Sequence, residues 1–240
     1  MTVLLHAAGS LRDALTDIAE AFAASGITVQ AKYGPSGTLR DEIAGGASAQ
    51  VFASANMAHA ESLSATGKSG AVVLFARNRL CALVRPGLGA TSASLLDRMR
   101  ADGVRLATST PKADPSGDYA LAVFTRAEAL IAGSRTLLET KALRLTGAPA
   151  SAQPPAGRNV YGWHVAEGRA DIFLTYQTNA AAAQRENPEL GIVALPDPLA
   201  VGADYGMTVM NDAPAAAYRF ALFVVSTEGQ RILAKHGFMA

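Results

Sequence analysis

The amino-acid sequence predicts an α/β fold. Strand-like and helix-like segments alternate from the first residue, and no repeat of roughly 20–50 residues or low-complexity tract interrupts them. With 240 residues, 50% of them hydrophobic, the chain has enough apolar surface for one large domain or two small ones.

Val3-Leu4-Leu5 reads as a buried strand. Ser10 is placed to cap a helix in which Leu11, Leu15, Ile18, Ala19 and Phe22 share one face, with Asp13 in the capping-box position and Gly26 as the stop. A strand over 27–31 follows, then a turn at Gly34-Pro35-Ser36-Gly37 and a short helix carrying Leu39 and Ile43 that ends at Gly45-Gly46. Residues 51–54 predict a third strand, and Met57, Ala60 and Leu63 a helix. After an apolar strand over 80–84, Pro86-Gly87 punctuates the chain and opens a second set of α/β units. That set holds a helix over 92–100, a strand over 104–107, a loop through Asp114-Pro115-Ser116-Gly117 and a helix starting near Asp118. Residues 153–157 are the most loop-like stretch; Asn159 is placed to cap a helix over 160–167, and strands follow at 171–175 and 192–195. Pro196-Asp197-Pro198 marks a second crossing point. The tail is two helices, one entered through Asn211, Asp212 and Pro214, the other capped by Thr227 with Gln230 three residues on and closed by Gly237.

Charge narrows the function. The 21 basic and 20 acidic side chains leave a formal net charge of +1, too little to hold nucleic acid or an anionic membrane by bulk attraction, so any bound anion must be captured locally. Apolar runs end at about six residues where a membrane span needs about 20, which predicts a soluble chain. Cys81 is the single cysteine, so neither an intrachain disulfide nor a cysteine metal cluster forms; within an apolar stretch it reads as a buried, inert thiol. None of His6, His59, His164 and His236 forms H-x-x-x-H with another, and His164, beside Tyr161 and Trp163, reads as a partly exposed structural histidine. No dinucleotide, P-loop or nucleophile-elbow fingerprint is present, and no nucleophile, base and orienter fall into a pattern, so neither catalysis nor a cofactor is expected. The N-terminus, Met1 to His6, lacks the basic region, long apolar stretch and small-residue cleavage site of a secretory signal. The chain is therefore expected to be either cytosolic or a form from which a leader has been removed.

Three serines share one grammar: a strand ends, small residues turn the chain, and a helix begins. The turns are Ala8-Gly9-Ser10, Gly34-Pro35-Ser36-Gly37 and Pro115-Ser116-Gly117. First-turn N–H groups have no acceptor inside their helix, and the peptide dipoles add about half a positive charge there, so such turns hold an anion without Lys or Arg. Tyr176, after a strand and before Gln177-Thr178-Asn179, places a hydroxyl where it would cap a pocket.

These residues carry a resemblance. His6-Ala7-Ala8-Gly9-Ser10-Leu11, Gly34-Pro35-Ser36-Gly37-Thr38-Leu39, Val51-Phe52-Ala53-Ser54-Ala55, Pro115-Ser116-Gly117-Asp118-Tyr119-Ala120, Gly168-Arg169-Ala170-Asp171 and Gly237-Phe238 are similar, in order and spacing, to the molybdate-binding periplasmic proteins of bacterial ABC importers. The resemblance covers about residues 4–238. It implies the two-lobed type II periplasmic binding protein fold, each lobe a mixed sheet flanked by helices, with lobe 1 built from residues 1–81 and 197–240 and lobe 2 from 82–196. It further implies a monomer that holds molybdate or tungstate in the interlobe cleft and delivers it to an inner-membrane ABC permease, with no nucleic-acid partner. The donors it implies are the hydroxyl and N–H of Ser10 and of Ser36, the N–H of Ser116, the N–H of Val160 and the hydroxyl of Tyr176. Four features depart from the family pattern. Gln50 and Asn56 replace acidic residues, Tyr161-Gly162-Trp163-His164 replaces a small, aliphatic run, Asn179 replaces an acidic residue, and Ser116 adds a hydroxyl where alanine is usual. Tyr161, Trp163, His164 and Gln177 leave open a solute-binding protein of the same fold for another small anion or organic ligand, and the N-terminus leaves open an intracellular oxyanion sensor.

Overall fold

A computed structural model describes residues 1–239, and among these nine β-strands alternate with ten α-helices. The chain divides into two units, one made of Met1–Asn78 and the chain from Ala203 onward, the other of Arg79–Gly202. No helix among the described residues is long and apolar enough to cross a membrane.

In the first unit, β1 (Thr2–Ala8) leads through a 3-10 turn at Gly9–Leu11 into α1 (Arg12–Phe22), then β2 (Thr28–Gly34), α2 (Ser36–Ala44), β3 (Val51–Ser54) and α3 (Met57–Ala65). β2 and β3 both pair in parallel with β1, so three strands end at the same edge of the sheet. Helix α1 buries Ala14, Leu15, Ile18 and Phe22, the stripe the apolar spacing predicts with Ala14 in place of Ala19. It ends through a second 3-10 turn at Gly26, whose φ of 76° is the left-handed conformation that favours glycine. Ser10 does not cap α1: it lies inside the 3-10 turn, the helix begins two residues later, and no side chain caps it.

The boundary between the units falls within β4 (Val73–Val84), longer than the predicted strand because Arg77-Asn78-Arg79 separates its apolar start, Val73–Ala76, from the apolar run over 80–84. The second unit continues with α4 (Leu95–Arg100), β5 (Leu106–Ser109), α5 (Pro115–Leu130), α6 (Ser134–Lys141), β6 (Leu143–Thr146), α7 (Val160–Ala166), β7 (Ile172–Tyr176), α8 (Gln177–Glu186) and β8 (Gly191–Ala194). Strands β6 and β7 run parallel to β5 on either side, whereas β4 pairs antiparallel with both β7 and β8. Helix α5 starts at Pro115 rather than near Asp118, because Asp114 caps it and proline suits the first helical position. Cys81, Leu83, Ala107 and Phe173 sit at the centre of this unit's core. Burial pushes the Cys81 thiol up to about 12, which keeps it protonated and unreactive.

The chain then returns through β9 (Gly202–Val209), antiparallel to β3, and closes with α9 (Ala215–Val225) and α10 (Thr227–Lys235). The cap of α10 is Ser226, whose Oγ accepts from the Gly229 N–H at 3.2 Å, one residue before the predicted Thr227.

One ion cluster fastens the parallel strands of the second unit. Asp171, immediately before β7 and 3% exposed, accepts from Arg85 Nε at 2.7 Å, from Arg105 Nε and Nη2 at 3.0 and 2.9 Å, and from the Arg105 N–H at 2.8 Å. Its carboxyl is held down to about 2, chiefly by the Arg105 side chain against the opposing cost of burial. A depressed carboxylate contributes stability above its unfolded value of about 4 and loses that contribution as pH falls through about 2. Because both guanidiniums are substantially solvated, Asp171→Asn should cost about 2 kcal/mol at pH 7. Urea unfolding should show this difference shrinking as pH falls from about 4 toward about 2; a constant difference would assign the loss to packing.

Candidate functional site

In α/β sheets, ligands meet the chain beyond the carboxyl ends of parallel strands. In the first unit those ends carry Ser10 after β1, Ser36 after β2, and Ser54 to Asn56 after β3. Ser36 is the first residue of α2, preceded by Pro35 in extended conformation, and no side chain caps that helix. Its Oγ accepts the Ala55 N–H at 3.0 Å. This bond ties β3 to the start of α2 and fills a lone pair, which leaves the hydroxyl hydrogen available as a donor. Asn56 caps α3 by accepting the His59 N–H at 3.0 Å, so its amide has a local structural task.

Ser10 is backed by two buried side chains that its own motif does not reveal. Its Oγ lies 2.9 Å from the Tyr205 hydroxyl, and the Tyr205 oxygen accepts from Asn78 Nδ2 at 3.3 Å. Tyr205 on β9 and Asn78 on β4 are 0% and 1% exposed. A tyrosine oxygen that already accepts from an amide is suited to donate onward, leaving the serine hydrogen for a ligand. A Tyr on a strand far along the chain gives no local signal for this role.

In the second unit, β5, β6 and β7 end at Ser109, Thr146 and Tyr176, and α5, α7 and α8 begin beyond them. The parallel register sets Ser109 beside Thr146, with Oγ and Oγ1 2.8 Å apart. Ser116, at the second position of α5, is fully buried and its hydroxyl donates to Ser109 Oγ at 2.7 Å. The Ser116 N–H donates at 3.0 Å to Asp114 Oδ1, which also lies 3.1 Å from the Ser116 hydroxyl. The expected donor is thus engaged by its own helix cap, and Ser116's extra hydroxyl serves a buried network.

Tyr161 completes that network. Its ring packs edge-on against Phe173 at 5.2 Å, and its hydroxyl faces Ser109, Thr175 and Thr146. Burial, followed by the nearby Asp114 charge, raises the phenol well above its ordinary value, so it stays a neutral hydrogen-bonding group. Trp163 stacks under the Arg169 guanidinium at 3.9 Å, and His164 is 1% exposed against Phe173 rather than partly exposed. Burial and then Arg169 lower the His164 pKa, which favours the neutral ring. The aromatic run of α7 therefore belongs to the core.

Val160 is the first residue of α7, whose cap Asn159 accepts the Gly162 N–H at 3.0 Å; the Val160 N–H is a first-turn donor. Tyr176 ends β7 and is 1% exposed, with its ring edge-on to Tyr119 of α5 at 6.2 Å. The fold thus brings Ser10 and Ser36 to one edge in the first unit, and Ser116, Val160 and Tyr176 to the corresponding edge in the second. No group of three or more His, Cys, Asp or Glu side chains among the described residues is arranged to hold a metal ion.

The family model described as bacterial extracellular solute-binding protein matches residues 3–239. The chain is 34% identical to uncharacterized protein PM1146 of Pasteurella multocida over 97% of this chain and 96% of that protein. It is 26% identical to the molybdate-binding protein ModA of Mycobacterium tuberculosis over 99% of this chain and 84% of that one. In structure it is similar to the sulfate-binding protein SubI of Mycobacterium tuberculosis, with a TM-score of 0.81 and 19% identity, covering 99% of this chain and 86% of the other.

Proposed function

Because the chain belongs to the bacterial extracellular solute-binding protein family, the substrate-binding components of ABC importers, we propose that it captures molybdate or tungstate and delivers the anion to an inner-membrane permease. In this reading it works in the periplasm as a monomer and without catalysis. The donors proposed for the tetrahedral dianion are Ser10 and Ser36 in one unit and Ser116, Val160 and Tyr176 in the other. The observation that carries the reading is the pair of backed hydroxyls in the first unit. Ser36 Oγ is filled by the Ala55 N–H and Ser10 Oγ sits against Tyr205, so both present hydrogen-bond donors at the edge where ligands meet such sheets. Likeness to a molybdate-binding relative over 99% of the chain supports the choice of ligand.

Neutral donors suffice for a dianion because each hydrogen bond to a charged acceptor is worth about 1.5–3 kcal/mol. Sulfate is the smaller ion, so donors fixed for the larger anion discriminate against it by distance. Titration calorimetry with molybdate, tungstate, sulfate and phosphate tests the reading. One molybdate or tungstate per chain, with sulfate and phosphate much weaker, is the expected result; no heat from either group-6 oxyanion at micromolar protein overturns it.

A further inference from the structure

The start of α5 already holds an acid. Asp114 Oδ1 accepts from the Ser116 N–H at 3.0 Å and lies 3.1 Å from the Ser116 hydroxyl, and its carbonyl accepts from the Gly117 N–H at 2.9 Å. The side chain rests on the open face of Gly147, where an added Cβ would come 2.7 Å from Asp114 Cβ. Among the described residues no basic side chain forms an ion pair with it. The ionisable groups facing it are Asp118 on its own helix and Tyr161 from α7; Ser109, Thr146 and Gly147, from the β5 and β6 ends, are uncharged. An oxyanion seated on the Ser116 N–H would therefore meet a carboxylate that uses the same donor.

Resting on the oxyanion reading above, we infer that Asp114 sets the affinity of this site: its carboxylate competes with the bound dianion for the Ser116 donors and gives up its charge when the anion enters. Two negative groups that share one donor set do not both stay ionised, and molybdate at neutral pH carries no proton to give. The carboxyl takes the proton from solvent and, once neutral, donates its own O–H. Burial, partly offset by the Ser116 bonds, already raises the Asp114 pKa in the free protein, and a dianion beside it raises it further. Between those two values each bound anion takes up one proton, so affinity falls as pH rises, by up to about tenfold per pH unit.

Asp114→Asn removes the charge and keeps a residue suited to capping α5, since an Asn oxygen accepts the same N–H. The test is molybdate calorimetry at about pH 7 in buffers of differing ionisation enthalpy, which counts protons. Wild type is expected to take up about one proton per anion, and D114N none, with D114N binding at least about tenfold tighter at about pH 8. Binding to wild type with no proton uptake overturns it and leaves the oxyanion reading standing, as does D114N affinity equal to or below that of wild type. Absence of binding in both proteins overturns the inference and the reading together. Should D114N fail to fold, the wild-type proton count alone decides.

Discussion

Replacing Ser10 and Ser36 together by alanine should lower molybdate affinity about 10²–10⁴-fold. Each hydroxyl bond to a charged acceptor contributes about 1.5–3 kcal/mol and each 1.4 kcal/mol is a factor of ten, so two lost donors account for that range. The single changes should each cost about 10–10²-fold and differ in their side effects. Ser36→Ala also removes the acceptor that the Ala55 N–H uses at 3.0 Å, a buried bond, so it should lower stability by about 1 kcal/mol as well. Ser10→Ala leaves the Tyr205 hydroxyl with its Asn78 partner and should change stability less. Calorimetry of the three variants, with urea unfolding alongside, separates the two effects. Undiminished affinity in the double variant of a folded protein would remove the first unit's edge from the binding site.

The α/β class and the serines at strand ends were legible because both are local. Strand, turn and helix start lie within a few residues, and α2, β3, α3 and α7 form where the periodicity and the Gly, Pro and Asn signals put them. Several elements escaped for physical reasons. β9 carries polar residues such as Asp204 among apolar ones, so no clean run marks it, and Arg77-Asn78-Arg79 cuts β4 into two apolar runs that do not read as one strand. Helix α8 begins directly at the end of β7, with no turn residue between Tyr176 and Gln177. The backing of the site was also hidden: Tyr205 meets Ser10 from 195 positions away in sequence and is itself held by Asn78, and only the fold reveals them. Asp114 was visible as a loop residue before Pro115. What it does there depends on its side chain folding back onto Ser116, a choice between cap and solvent that sequence spacing alone leaves undecided.

Gly117→Ala should be the most disruptive small change at the second unit's edge. A Cβ at Gly117 would lie 2.5 Å from the Ser109 carbonyl oxygen and 2.7 Å from both Pro111 N and the Thr110 carbonyl carbon. All three are backbone atoms, so no side chain can rotate away; the first turn of α5 must move off the end of β5. That movement pulls Ser116 from Ser109 and from Asp114, which breaks a buried network as well as displacing the donor. We expect a loss of about 2–4 kcal/mol in unfolding free energy, together with weaker anion binding in whatever folded fraction remains. Gly9→Ala provides the matched control. Gly9 also adjoins a donor serine, yet an added Cβ there meets nothing within 4 Å and its φ is not positive. Urea unfolding should place Gly9→Ala within about 0.5 kcal/mol of the parent. If both variants were equally mild, α5 would be free to shift against β5, and a donor set that depends on its fixed first turn could not discriminate between anions by size.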